Sequence, residues 1–277
     1  MHIVCCVKQV PDTTQVQIDP ETNTLVRSGV PSICNPYDLV AVEAAVQITE
    51  KYGGRVTVIS MGPPQTESSL RECLSLGAHD AILLSDKAFA GADTLATSYT
   101  LAQAILKISS TEPVQLIICG KQAIDGDTAQ TGPGIATRLN YTQFTYVSEV
   151  IDVKDDTIRV KREVEGGVEI IEGKLPALLT VELEITTPRY ASLPQLMRSL
   201  RYETKVYGSK DMEAPLQKLG LKGSPTQVRK IFAPPSRSGG TVFDVKENKN
   251  KVVDDFLDIF LKNDEKLLKE LMDKGAE

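Results

Sequence analysis

The 277-residue sequence has no tryptophan, only two histidines and no cluster of basic residues. Because only His2 and His79 are available, a histidine-based catalytic triad or zinc site is disfavoured. The net charge of -6, with no basic tract to offset it, argues against a nucleic-acid-binding surface. No apolar run reaches the roughly 18 residues of a membrane-spanning helix, and the first residues resemble a strand rather than a signal peptide. We therefore expect a cytoplasmic protein.

Cysteine is scarce, and two nucleotide-binding motifs are missing. The cysteines show no metal-ligand spacing, so we expect small buried side chains in a reducing compartment. The sequence contains neither GxxxxGK[ST] nor GxGxxG, which disfavours P-loop and standard Rossmann binding. The five cysteines, all in or beside apolar runs, are Cys5, Cys6, Cys34, Cys73 and Cys119.

The pattern of residues 1–145 is typical of an α/β protein. Short apolar runs alternate with helical periodicity, which predicts four strand-then-helix repeats and a parallel sheet with helices on both faces. Ligands of such sheets lie beyond the carboxyl ends of the strands. Residues 146–182 alternate apolar and polar side chains, with turns at KDD and EGG. This predicts an antiparallel hairpin and a buried strand that either extend or close the first sheet.

The last quarter of the chain differs in composition. A Pro-, Gly- and Ser-rich arm precedes an amphipathic helix predicted from Val252 to Lys274. Such a tail cannot form a hydrophobic core by itself, so it packs either around its own domain or on a partner protein. We divide the chain into a domain of residues 1–207 and an arm of residues 208–277. The apolar stripe of the helix comprises Val253, Phe256, Leu257, Phe260, Leu261, Leu267, Leu268 and Leu271.

Four polar or glycine-bearing loops follow the predicted strands, and the loop CGKQAIDGDTAQTGP after the fourth is the richest. Gly120 and Gly126 permit close backbone approach, and donors at a helix start predict a phosphate site. The alternative is a capped loop without a ligand. Asp125 and Asp127 would repel phosphate, so they cap the helix or hold an adenine amine or ribose hydroxyl. The donors are Thr128, Gln130 and Thr131.

Two further segments have both a binding and a capping interpretation. In GADTLATS, Thr94 and Thr97 lie near a helix start and suit a second phosphate or a pyrophosphate, whereas Asp93 suits a helix N-cap. In CNPYD, Pro36 can open the following helix, so capping by Asn35 is the alternative to a binding role.

These segments together resemble a known family. VKQVP, NPYD, SMGP, CGKQAIDGDTAQTGP, VKREVEGGVEIIEGKLPALLTV and PRYASLPQLM occur in this order in the β-subunit of electron transfer flavoprotein, and the resemblance covers essentially the whole chain. It implies a flavodoxin-like or adenine-nucleotide α-hydrolase-like parallel sheet. It also implies an α-subunit partner that holds an FAD.

The resemblance assigns site residues by motif. Residues 188–199 match the segment through which the β-subunit docks acyl-CoA dehydrogenases or related flavin dehydrogenases, with Leu193 as the apolar anchor. The candidate partner-binding residues are Arg189, Tyr190, Leu193, Pro194 and Met197. The candidate cofactor-binding residues are Cys6, Val7, Lys8, Asn35, Pro36, Tyr37, Asp38, Met61, Gly62, Asp93, Thr94, Thr97, Gly120, Lys121, Gln122, Ala123, Ile124, Asp125, Gly126, Asp127, Thr128, Ala129, Gln130 and Thr131.

The family has two variants that differ in the cofactor of the β-subunit. Ordinary members keep a structural AMP, whereas bifurcating members hold FAD, take electrons from NADH and deliver them to the α-subunit FAD and to an acceptor such as ferredoxin. VKQVPDT, FAGADTLATS and KGSPTQV resemble the bifurcating group, so we expect FAD, with AMP as the alternative. A stand-alone adenine-nucleotide sensor or nucleotidyl-transferring enzyme is a third hypothesis, disfavoured by the docking segment and the long tail.

Overall fold

The computed structural model describes residues 1–12, 17–18, 25–26, 31–227 and 249–263. The strands within these ranges are β1 (His2–Cys6), β2 (Gln9–Pro11), β3 (Gln17–Ile18), β4 (Leu25–Val26), β5 (Ser32–Cys34), β6 (Arg55–Met61), β7 (Asp80–Leu84), β8 (Leu116–Gly120), β9 (Thr142–Lys154), β10 (Thr157–Val164), β11 (Gly167–Lys174), β12 (Ala177–Val181) and β13 (Lys205–Tyr207). The α-helices are α1 (Pro36–Tyr52), α2 (Glu67–Ser75), α3 (Thr94–Ser109), α4 (Thr131–Leu139), α5 (Leu193–Arg201) and α6 (Lys249–Asn263).

A nine-stranded sheet organises the first part of the chain, in the order β11-β10-β9-β12-β8-β1-β6-β7-β13. The strands from β9 to β13 in this order run parallel, whereas β10 is antiparallel to both β9 and β11. The predicted parallel sheet with added antiparallel strands is confirmed, and these strands extend the sheet rather than close it. If β1, β6, β7, β8 and β12 are numbered one to five, their spatial order is 3-2-1-4-5, whereas flavodoxin itself has 2-1-3-4-5.

Helices cover both faces of the sheet. Ile3 and Cys5 of β1 pack on the side of α1 and α2, whereas Val4 and Cys6 pack on the side of α3 and α4. Because successive side chains of a strand point to opposite faces, a strand covered on both sides is apolar throughout. The five cysteines are buried and free, as the sequence predicted.

Helix α1 fixes several residues of the site. Pro36 lies in its first turn, where a missing N–H does no harm, and Asp38 in the same turn suits the positive end of the helix dipole. The helix ends at Gly53, whose φ of 78° is in the left-handed region that favours glycine. The predicted helices α1 to α4 are confirmed.

Some elements were not expected from the sequence. Helix α5 packs beside α2, and β13 pairs with β7 at one edge of the sheet. The chain forms two compact units, Met1–Ala233 and Pro234–Glu277, whereas the sequence placed the division after residue 207. Within the second unit the described helix is α6. The end of the predicted terminal helix, with Leu267, Leu268 and Leu271, lies outside the described residues.

In the parts of the chain that the structure describes, no helix is long and apolar enough to cross a membrane.

Candidate functional site

The strand order reverses between β1 and β8, and ligands of open α/β sheets bind at such a point. Residues 7–8 follow β1 and residues 121–130 follow β8, so both loops border one crevice, as predicted. We call this the switch-point crevice. The N-terminus of α4 lies at this edge because α4 follows β8, and that of α1 lies there because Asp38 in its first turn accepts the N–H of Gly120 at the end of β8.

Asp38 joins the two strands that border the crevice. Its Oδ2 accepts the backbone N–H of Lys8 at 2.8 Å, and its Oδ1 accepts that of Gly120 at 3.1 Å. The side chain is buried, and burial raises the pKa of Asp38 to about 7 although these hydrogen bonds favour the carboxylate. Asp38 therefore forms the floor of the crevice.

Gly120 allows α1 to approach this floor. A Cβ at this position would lie 2.5 Å from Asp38 Oδ1 and 2.5 Å from Tyr37 Cβ, which no real Cβ tolerates. Any larger residue would push the first turn of α1 away from β8 and break the Asp38 hydrogen bonds.

Asn35 holds the loop that follows β8 and does not cap α1. Its Nδ2 donates to the carbonyl of Gln122 at 2.9 Å, and its Oδ1 accepts the N–H of Ile124 at 3.2 Å. The side chain is fully buried, and the N-terminus of α1 receives no side-chain cap from it. The capping interpretation of Asn35 was therefore wrong, because a loop almost ninety residues further along occupies its amide.

Side-chain contacts fix the exposed part of the same loop. Lys8 Nζ lies 2.6 and 2.8 Å from the carboxylate oxygens of Asp125 and so bridges the crevice. Gln122 Nε2 donates to Asp127 Oδ1 at 3.0 Å. Asp127 and Ala129 have φ values of 49° and 52°, in the left-handed region that non-glycine residues rarely adopt. Such strained backbone is found at ligand-binding loops, where the surroundings maintain it.

The N-terminus of α4 offers an anion-binding position. It has no side-chain cap, because the Gln130 side chain makes no capping hydrogen bond. Instead, Gln130 Oε1 accepts a hydrogen bond from the Thr94 hydroxyl at 2.9 Å, which brings the starts of α3 and α4 together. The open backbone N–H groups of this helix start, beside the Thr94 hydroxyl and the Gln130 amide, suit a phosphate or pyrophosphate.

The carboxylate of Asp93 makes its hydrogen bonds within the protein, at the start of α3. Its Oδ1 accepts the N–H groups of Leu95 and Ala96 at 3.0 Å, so it caps α3. Its Oδ2 accepts the hydroxyl of Thr226 at 2.8 Å, which anchors residues 222–227 of the KGSPTQV motif beside Thr94. With its carboxylate at the start of α3, Asp93 leaves α4 as the better helix end for an anion, and the Asp93 cap that the sequence offered as an alternative is observed.

The other candidate cofactor residues lie around these contacts. Thr97 is half-buried on the first turn of α3, Met61 ends β6 and Gly62 follows it. Cys6 and Val7 are buried at the end of β1. Pro36 and Tyr37 open α1, Thr131 opens α4, and the remaining loop positions are Ala123, Gly126 and Thr128.

Sequence reasoning missed a charged cluster on the β12 side of the crevice. Lys121 Nζ lies 2.7 Å from Glu182 Oε2, and Glu182 is almost fully buried. The same ammonium lies 5.5 Å from the ring centre of Tyr37 and 5.6 Å from that of Tyr146. Glu182 directly follows a buried strand, a position at which an acidic residue in the sequence could have been noticed.

The predicted docking segment, residues 188–199, presents apolar side chains to solvent. Tyr190 is 98% exposed and Leu193 is 69% exposed. Ser192 caps α5, its hydroxyl accepting the N–H of Gln195. Arg189 points away from this surface and pairs with Glu43 and Glu50 of α1. Pro194 and Met197 are exposed beside Leu196 and Leu200, which continue the apolar face.

The fold and the crevice define a doubly wound α/β protein with an uncapped helix N-terminus at its switch point. The sequence profile of the electron transfer flavoprotein domain matches residues 22–207, more than half of the chain. The chain therefore belongs to the electron transfer flavoprotein β-subunit family, and its function is electron transfer.

Curated relatives are similar over most of their length. The protein FixA of Azotobacter vinelandii is 53% identical over 246 residues, which cover 86% of each chain. The electron transfer flavoprotein subunit beta of Clostridium acetobutylicum is 48% identical over 249 residues, 89% of this chain and 94% of that protein. The corresponding subunit of Thermoanaerobacterium thermosaccharolyticum is 48% identical over 257 residues, 92% and 97% of the two chains.

Proposed function

We propose that the chain is the FAD-binding β-subunit of a heterodimeric, bifurcating electron transfer flavoprotein. It takes electrons from NADH and passes them to the FAD of the α-subunit, to a flavin dehydrogenase and to ferredoxin. The proposal places the complex in the cytoplasm, in keeping with free buried cysteines and a negative net charge. The subunit works only in the complex.

The uncapped N-terminus of α4 beside Thr94 carries the proposal. A pyrophosphate needs more donors than a single phosphate, and the hydrogen bond between the Thr94 hydroxyl and the Gln130 amide brings the starts of α3 and α4 together. The Asp125 carboxylate is paired with Lys8, which offsets its charge beside an incoming anion, whereas the neutral Gln122 amide that bonds Asp127 supplies no compensating charge.

FAD, when bound, supplies the electron chemistry through its isoalloxazine ring. The chain itself binds and orients. Asp38 and Asn35 fix the strand ends and the loop that follows β8, so that the donors of α4 are in place before a nucleotide arrives. A preorganised site loses less conformational freedom on binding than a flexible loop would. No side chain is required as a general acid or base.

The alternative is an ordinary β-subunit with structural AMP and no redox centre of its own. The Asp93 cap at α3 favours this alternative, because it leaves one open helix end rather than two. A stand-alone nucleotide sensor is the less favoured candidate, because it would have no use for an exposed Leu193 surface.

Cofactor content distinguishes the two proposals. We would purify the complex of both subunits, release the ligands by denaturation and quantify FAD and AMP by chromatography. Two FAD per heterodimer and no AMP support the bifurcating type. One FAD and one AMP would refute it in favour of the ordinary type.

Two surfaces complete the proposal. The Leu193 surface docks an acyl-CoA dehydrogenase or a related flavin dehydrogenase. Helix α6 packs on the α-subunit through an apolar face whose side chains, Phe256 and Phe260 among them, are about half exposed in the described residues. The two rings stack with centroids 5.7 Å apart.

A further inference from the structure

Arg189 binds the start of the docking segment to helix α1. Its guanidinium donates to Glu43 at 2.9 to 3.1 Å and to Glu50 at 2.6 and 2.9 Å. Its backbone N–H also donates to Glu43 Oε2 at 3.2 Å. Glu43 is 2% exposed, whereas Arg189 is 35% and Glu50 57% exposed, so this multidentate ion pair has a buried part at Glu43 and a surface part at Glu50.

One face of α1 makes all of these contacts. Glu43, Gln47 and Glu50 are spaced at i, i+4 and i+7, which places them above one another on the helix. Gln47 Nε2 donates to Glu43 Oε1 at 2.8 Å and to Thr186 Oγ1 at 2.9 Å. The hydrogen bond of Arg189 lowers the pKa of Glu50, which keeps that carboxylate charged. The chain before α5 is therefore fixed at residues 186 and 189.

Arginines also fix the other end of the docking segment. Arg198 of α5 donates to the carbonyls of Leu74 and Ala78 at the end of α2. Arg71 of α2 donates in return to the carbonyl of Ser199. The exposed apolar residues thus lie between two anchored points, one on α1 and one on α2.

We infer that Arg189 is a positioning residue for partner docking, which rests on the proposed docking role of the Leu193 surface. The guanidinium of Arg189 pairs with carboxylates of α1, and Leu193 lies four residues further on, at the first position of α5. An apolar anchor contributes its full affinity only when the protein already holds it in the binding position, because ordering a loose segment on binding offsets the gain in binding free energy. Loss of Arg189 weakens docking and leaves the redox centres unchanged.

The test must separate positioning from folding. Arg189→Met alone leaves the buried Glu43 carboxylate without its cation, which destabilises a protein. We would therefore combine Arg189→Met with Glu43→Gln in the complex of both subunits and assay electron transfer to a purified acyl-CoA dehydrogenase. We expect the KM for the dehydrogenase to rise about tenfold, the effect of one well-placed interface residue. The kcat, the flavin content and the reduction of a small one-electron dye stay at wild-type values.

Two further variants sharpen the result. Arg159→Met removes an exposed arginine on β10 that lies outside the docking segment, and should leave the KM unchanged. Leu193→Ala should raise the KM, and adding it to the Arg189 and Glu43 substitutions should raise it by less than the product of the separate effects, because both act on one anchor. Multiplicative effects would overturn the positioning role. So would an unchanged KM in the Arg189 variant beside a raised KM in Leu193→Ala, whereas an unchanged KM in both refutes the docking surface as well.

Discussion

Ionisation of the buried Asp38 should make the protein less stable as the pH rises. Its pKa is raised from 3.8 to about 7 because the side chain is buried. A group whose folded-state pKa exceeds its unfolded value binds its proton more tightly in the folded protein. The contribution of Asp38 to the free energy of unfolding is therefore complete below about pH 4 and is lost as the pH rises through about 7.

The size of the effect follows from the shift. Each pKa unit corresponds to about 1.4 kcal/mol, so the free energy of unfolding should lose on the order of 2 to 3 kcal/mol through this group between pH 5 and pH 8. Asp38→Asn removes the titration. It also replaces one accepting oxygen with an amide that faces a backbone N–H, a penalty of about 1 to 3 kcal/mol that does not change with pH.

The assay is urea unfolding of the full-length chain at several pH values, with nucleotide in constant excess. The difference in unfolding free energy between the wild type and Asp38→Asn isolates this one group from all other titrations. We expect the variant to be clearly less stable at pH 5 and to recover relative to the wild type by pH 8. A difference that stays constant over this range would refute the pKa shift, and one that grows with pH would reverse its sign.

Three further predictions concern the proposed function. Thr94→Val with Thr97→Val should remove hydrogen bonds to a charged group, each worth on the order of 1.5 to 3 kcal/mol, and lower FAD content to one per heterodimer; an unaltered FAD content contradicts the pyrophosphate site. Leu193→Ala should slow electron transfer to the dehydrogenase while NADH-driven flavin reduction continues, and wild-type transfer rates would exclude this anchor. Deletion of residues 245–277 should raise the dissociation constant of the heterodimer and leave the melting temperature of the isolated chain nearly unchanged, because the helix packs on the partner. A much lower melting temperature with undiminished pairing would show that the helix folds back on its own subunit instead.

Local sequence patterns predicted the parallel sheet and the crevice because each strand and helix carries its own periodicity. The chain from β1 to α4 repeats apolar runs and amphipathic stretches, and this order alone places the polar loops at one edge. The roles within the crevice depend on distant contacts. Asn35 precedes a proline and a helix, a pattern typical of a cap, but its amide is used by Gln122 and Ile124.

The docking segment shows the same limit. Its apolar residues fall at helical spacing, yet α5 was not predicted because the apolar face is exposed rather than part of a core. Arg189 was assigned to the partner because the family motif contains it. Its actual partners lie some 140 residues earlier in the chain, and no local pattern indicates that an arginine pairs with Glu43.

Helix α1 fixes the distance between the strand ends at the crevice and the docking segment, which could otherwise change independently in evolution. Asp38 at its start is fixed to β1 and β8, and Glu43 and Glu50 further along are fixed to Arg189. Inserting one residue between Asp38 and Glu43 would turn the rest of the helix by about 100° and advance it by about 1.5 Å. Either the loop that follows β8 or the docking segment would then lose its contacts with α1, so changes in this helix should be confined to substitutions that keep its length.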